Sequence, residues 1–148
     1  MYHICTTEKG AAQQHCFQKT LLSAMKQQNY EQITVTALCE QSGLSRKTFY
    51  RLFECKDDVL DALIDHTLQT YGVSQRSVTT IHDAFCRLFL YWQEQRTLLD
   101  ALSRNNKTTL LIQRALIYTS SEAHDYTQYI SFINTSCKQE ILTFLVVF

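Results

Sequence analysis

The stretch ITVTALCEQSGLSRKTFYRLF, Ile33 to Phe53, decides how this chain is read. Thr34 or Thr36 can cap a helix whose apolar residues Leu38 and Cys39 share a side with Val35. Gly43 stops that helix, because glycine takes the left-handed conformation at a helix C-terminus without a Cβ penalty. Leu44 fills the angle between two helices, and Ser45 is the next N-cap. From Ser45 to Phe53, Phe49, Leu52 and Phe53 recur at helical spacing and leave Arg46, Lys47, Thr48, Tyr50 and Arg51 on exposed or partly exposed faces. Such a helix is roughly 13 Å long, short enough to lie in a major groove. A helix, a glycine turn and a short basic helix are the layout of a DNA-reading helix-turn-helix.

Working outward, Lys56 stands at the start of a further helix whose first turn carries Asp57 and Asp58, acids that suit the positive end of a helix dipole. The unpaired amides there, with Lys56 beside them, predict a phosphate-binding corner. Phe17, Leu21, Leu22 and Met25 give the helix at residues 11–28 its inner face, and Tyr30 and Ile33 pack the link to the motif. The helix at 56–71 buries Val59, Leu60, Leu63, Ile64 and Leu68, and Gly72 is expected to end it. Residues 73–80 are polar and loop-like, so the domain boundary is placed there, with residues 1–72 before it and 73–148 after.

In its order and spacing, the segment from about residue 15 to 72 resembles the N-terminal DNA-binding domain of the TetR family of bacterial transcriptional regulators. The residues that carry the resemblance are Tyr30, Ile33-Thr34-Val35, Leu38, Gly43-Leu44-Ser45, Thr48-Phe49-Tyr50, Phe53, Lys56 and Leu60. Two positions depart from the pattern. Cys39 stands where a small residue such as Ala is usual, and is a tolerable apolar filler. Cys55 replaces a capping Ser, Asn or Asp, so the fourth helix is expected to begin less firmly.

Composition agrees with a helical protein. The 148 residues include no proline and three glycines, and 45% are hydrophobic, so an all-α fold with a real core is expected. Net charge is zero, which excludes gripping nucleic acid by bulk electrostatics. The basic signal is local: Arg46, Lys47, Arg51 and Lys56 against Glu54 alone, which supports a few phosphate contacts plus base readout. The first ten residues have no signal-peptide core, and the apolar run Ile141 to Phe148 is too short to span a bilayer, so a cytoplasmic protein with no membrane partner is expected. Its six cysteines are then reduced.

Beyond the boundary, Ile81 to Gln95 is aromatic, with Phe85, Leu88, Phe89 and Trp92 on one helical face. A short helix around Leu98–Leu102, a break at Asn105-Asn106 and a helix at 108–119 follow. From Glu122 to Phe148, Tyr126, Tyr129, Ile130, Ile133, Cys137, Ile141, Leu142 and Leu145 keep helical spacing. Tyr91 to Leu111 resembles the start of a TetR-type effector and dimerisation domain. Family members continue for several tens of residues past Phe148, so either the chain is truncated or its dimer surface is built differently.

The resemblance implies a sequence-specific, ligand-responsive repressor acting as a homodimer on a palindromic operator in double-stranded DNA. Two reading helices would then enter successive major grooves about 34 Å apart. Arg46, Lys47 and Thr48 are the candidates for base edges, since a long basic donor reaches guanine acceptors and a threonine methyl touches thymine. Thr36, Ser45, Tyr50 and Lys56 are the candidates for phosphates. Phe85, Phe89 and Trp92 either line a pocket for a small apolar effector or are plain core. The alternative reading is a DNA-bound protein-interaction module without such an effector. No catalytic set, cofactor or metal is expected: there is no glycine-rich phosphate loop or nucleophile-base pair, and neither His82 with Cys86 nor Cys5 with His15 and Cys16 finds further ligands at a recognisable spacing.

Overall fold

A computed structural model of the chain describes residues 7–75 and 81–121, and among them every regular element is helical. The elements are α1 (Glu8–Gln27), a single 3-10 turn (Tyr30–Gln32), α2 (Val35–Ser42), α3 (Arg46–Leu52), α4 (Lys56–Gln75), α5 (Ile81–Glu94), α6 (Arg96–Arg104) and α7 (Thr108–Ser121). The expected helical spacing at 122–148 lies outside the described residues. The chain divides into two compact units, Met1–Asn106 and Lys107–Phe148.

In the first unit α1 is the central element and packs against α2, α3, α4 and α6. Of the expected inner face, Phe17 and Leu21 are fully buried and Met25 nearly so, but Leu22 is half-buried and Ala24 takes the place beside Met25. Phe17 meets Phe49 and Phe53 edge-on, at ring-centroid distances of 5.2 and 6.1 Å. Each such buried aromatic removes enough apolar surface to be worth about 1.5–3 kcal/mol, and edge-to-face pairing adds to that. Thr7 starts α1 by accepting a hydrogen bond from the Gly10 amide at 3.2 Å.

Gly72 does not end α4. It is buried inside a helix that runs on to Gln75. An internal glycine costs about 1 kcal/mol of helix propensity but breaks no hydrogen bond, and packing of α4 against α5 outweighs it. That packing is tied by Tyr91 Oη, which donates to the Thr67 carbonyl at 2.6 Å, and by an Arg87 guanidinium N–H to the Ser74 carbonyl at 2.7 Å.

The start of α4 is firmer than Cys55 suggests. Asp58, in the first turn, accepts from the Glu54 amide at 2.8 Å and from the Cys55 amide, so its carboxylate supplies the reciprocal half of a capping box and satisfies the amides at the mouth of the helix. Burial opposes the charge on Asp58, and donation from these two amides helps hold its carboxyl below the ordinary aspartate range. After α6, Asn106 takes the left-handed conformation (φ 56°) that asparagine tolerates, which makes the expected break. No helix among the described residues is long and apolar enough to cross a membrane.

Candidate nucleic-acid interface

Thr34, not Thr36, caps α2: its hydroxyl accepts from the Ala37 amide at 3.2 Å. The turn after α2 needs its glycine for conformation alone. Gly43 has φ 68°, and a Cβ built there would meet nothing within 4 Å. Ser42 stitches the same turn, donating to the Cys39 carbonyl at 3.2 Å and accepting from the Leu44 amide at 3.3 Å. Ser45 then opens α3, its hydroxyl accepting from the Thr48 amide at 3.1 Å and lying 3.0 Å from the Thr48 hydroxyl.

Phe49, Leu52 and Phe53 are buried, which fixes the rotation of α3. At 100° per residue the direction opposite those three falls between Lys47 and Arg51, with Tyr50 and Arg46 to one side and Thr48 to the other. Arg46, Lys47, Tyr50 and Arg51 are exposed and Thr48 half-buried. Tyr50 keeps 59% of its surface in solvent while its ring edge rests on Phe49, at 5.4 Å between centroids. Its hydroxyl therefore stands beside the basic side chains and outside the core.

Both arginines of α3 are held laterally. An Arg46 guanidinium N–H donates to the Thr36 hydroxyl on α2. Arg51 donates to the Gln13 amide oxygen on α1 at 2.5 Å. Each bond occupies one N–H of a five-donor fork and restricts the side chain's rotamers, so less entropy remains to be lost when a phosphate or base edge is bound. Arg51 is the residue that sequence reasoning left out of the candidate contacts. Its position at the centre of the exposed face could have been found by projecting α3 as a helical wheel; its partner Gln13 could not.

Thr36, expected at a phosphate, is half-buried and engaged by Arg46. Lys56 has a different setting from the α3 cations. Its ammonium donates to the carbonyls of Tyr30 (2.8 Å), Ile33 (3.1 Å) and Glu31 (3.3 Å) and lies 4.6 Å from the centre of the Tyr30 ring. A phosphate at this corner has to replace one of those bonds or be served by the amides around it.

Tyr30 is the hub of that corner. It is 1% exposed, and its hydroxyl donates to an Asp57 carboxylate oxygen at 2.5 Å. Burial, reinforced by the Asp57 carboxylate, pushes its phenol far above the usual tyrosine range. Its backbone amide donates to Asn105 Oδ1 at 2.6 Å, and the Asn105 amide group donates in turn to the carbonyls of Ala101 (2.7 Å) and Met25 (3.1 Å). The end of α6 is thus fastened to the link between α1 and α2.

On α5 the structure separates the three aromatics expected on one face. Trp92 is 7% exposed, within 5.7 Å of the Tyr91 ring and 6.4 Å of the Tyr71 ring, whereas Phe85 and Phe89 are 37% and 48% exposed. They do share a helical stripe, but the Tyr71 ring of α4 stands against it at the Trp92 end. The indole N–H of Trp92 is buried and finds no hydrogen-bond partner among the described residues.

Residues 20–63 match the family model described as bacterial regulatory proteins, tetR family. The match spans the end of α1, α2, α3 and the start of α4, and so includes Gly43 and Lys56. No curated protein and no solved structure matches the chain significantly.

Proposed function

We propose that this chain, whose residues 20–63 match the tetR-family model, is a DNA-binding transcriptional regulator of that type and acts as a dimeric, ligand-responsive repressor. Two copies pair through their C-terminal segments and set two α3 helices on a palindromic operator about 34 Å apart. The observation that carries this reading is the exposed face of a Ser45-capped helix, with Lys47 between two arginines braced by Thr36 and Gln13. Arg46, Lys47 and Thr48 read base edges. Ser45, Tyr50 and Arg51 serve phosphates, with Thr36 and Lys56 at the margins.

An apolar effector bound among the helices after residue 72 would lower operator affinity by favouring a different separation of the reading heads. This second step is supported by family likeness. The exposed Phe85, Phe89 and Leu90 of α5 favour the alternative, a face covered by another protein. The cell compartment that suits a regulator of this kind is the cytoplasm.

Selection of bound sequences from a random duplex pool, followed by mass measurement of the complex, tests the whole reading. A palindrome bound by two chains is the expected result. A single half-site bound by one chain overturns the dimer, and the absence of any enriched sequence overturns specific recognition.

A further inference from the structure

His15 on α1 and His66 on α4 are far apart in sequence, yet their rings stand 6.2 Å apart between centroids, with planes inclined at 47°. Both side chains are exposed. Both backbones are held by the core: on α1 by Phe17 and Leu21, fully buried, and on α4 by Ile64 and Leu68, 0% and 4% exposed.

That separation suits a shared metal ion. A zinc-bound imidazole nitrogen lies about 2.0–2.1 Å from the ion and its ring centroid roughly 1.2 Å further, so two ligating rings have centroids about 5.3 Å apart at a tetrahedral angle and at most about 6.5 Å apart. The observed 6.2 Å already lies in this range, toward its wide end, and rotation of two exposed side chains is what closes it to the tetrahedral value.

We propose that His15 and His66 form a two-histidine site that binds one divalent first-row transition ion, zinc, nickel or copper, and braces α1 against α4. Neutral imidazole nitrogens select these ions over magnesium and calcium, which take oxygen ligands. No third His, Cys, Asp or Glu joins the pair among the described residues, so water fills the remaining positions. Cys16, next to His15 in sequence, is turned toward α2, its thiol directed at the Ser42 carbonyl at 3.7 Å. Once one histidine holds the ion, the second is already at hand, so the pair binds far more tightly than either ring alone. An ion bound only by the folded arrangement also raises thermal stability. The site is independent of operator recognition, and the two readings fail separately.

The test uses the full chain and nickel chloride, with calorimetric titration and thermal melting with and without the ion. One ion per chain and a rise in Tm of several degrees are expected. His15→Ala and His66→Ala should each weaken binding about a hundredfold and abolish the rise in Tm, whereas His82→Ala should change neither. Exposure of both rings predicts that the metal-free Tm of these variants is unchanged; if His15→Ala alone lowers it, His15→Asn supplies the same comparison. No binding by the parent protein, unchanged affinity in both single variants, or dependence on only one of the two histidines overturns the proposal.

Discussion

The cations of α3 and the single cation at the start of α4 have the same charge and opposite circumstances. Arg46 and Arg51 each spend one donor on a neighbouring side chain and leave the rest of the fork toward solvent, with Lys47 exposed between them. Lys56 directs its ammonium at three backbone carbonyls and a tyrosine ring. The first set faces solvent, as the proposed contacts with DNA require. The second ties the start of α4 to the link before α2 and can reach a phosphate only by giving up one of those bonds. Positive charge near a DNA-reading helix is therefore not a uniform property, and what the ammonium or guanidinium touches decides which work it does.

The contrast can be broken at several points. Truncating the hub should have the largest effect: Tyr30→Ala removes a buried ring, the hydroxyl that donates to Asp57 and the ring face beside the Lys56 ammonium, so urea unfolding should show a loss of about 3–5 kcal/mol. Next, Arg46→Ala and Lys47→Ala should each cost about 1–3 kcal/mol of discrimination between operator and random duplex while far-UV circular dichroism stays constant. A double variant that keeps operator preference would remove these residues from base readout. Lys56→Met should lower the unfolding free energy measured in urea by about 1–3 kcal/mol, because three carbonyls lose the ammonium as a donor. If instead stability holds and binding to all duplexes weakens alike, with a shallower salt dependence, Lys56 belongs with the α3 cations after all.

Smaller effects sharpen the account of the α4 start. Asp58→Asn should cost about 1 kcal/mol at neutral pH. The lowered pKa of Asp58 fixes the sign of its pH dependence. The stabilisation is present above the unfolded value near 3.9 and is lost as pH falls through the lower folded value, so the parent and the Asn variant should converge in stability below about pH 4. Cys55→Ser adds the conventional cap to an end already served by Asp58, and a gain of no more than about 0.5 kcal/mol is expected in thermal melts.

Local features were legible in the sequence because their causes are local. The cap at Ser45, a threonine cap at 34 or 36, the left-handed Gly43 and the buried rotation of α3 each depend on residues within one or two turns. What escaped depends on distant partners. The carbonyls that hold Lys56 lie 23 to 26 positions earlier, Gln13 lies 38 positions before Arg51, and Asn105 lies 75 positions after Tyr30. Gly72 misleads for the same reason: glycine marks helix ends by its own preference, and only packing with α5 shows that α4 continues. The boundary drawn after residue 72 rests on polar composition, whereas the compact unit that holds the reading helix also includes α5 and α6.

The bond from the Tyr30 amide to Asn105 also sets an order of events during synthesis. The ribosome delivers α1 to α4, with the reading helix among them, well before it delivers the end of α6. Until Asn105 emerges, the Tyr30 amide and the Met25 carbonyl lack the partner that closes the link between α1 and α2. The nascent reading head is thus a helical assembly with one open seam, and the last residues of α6 close it.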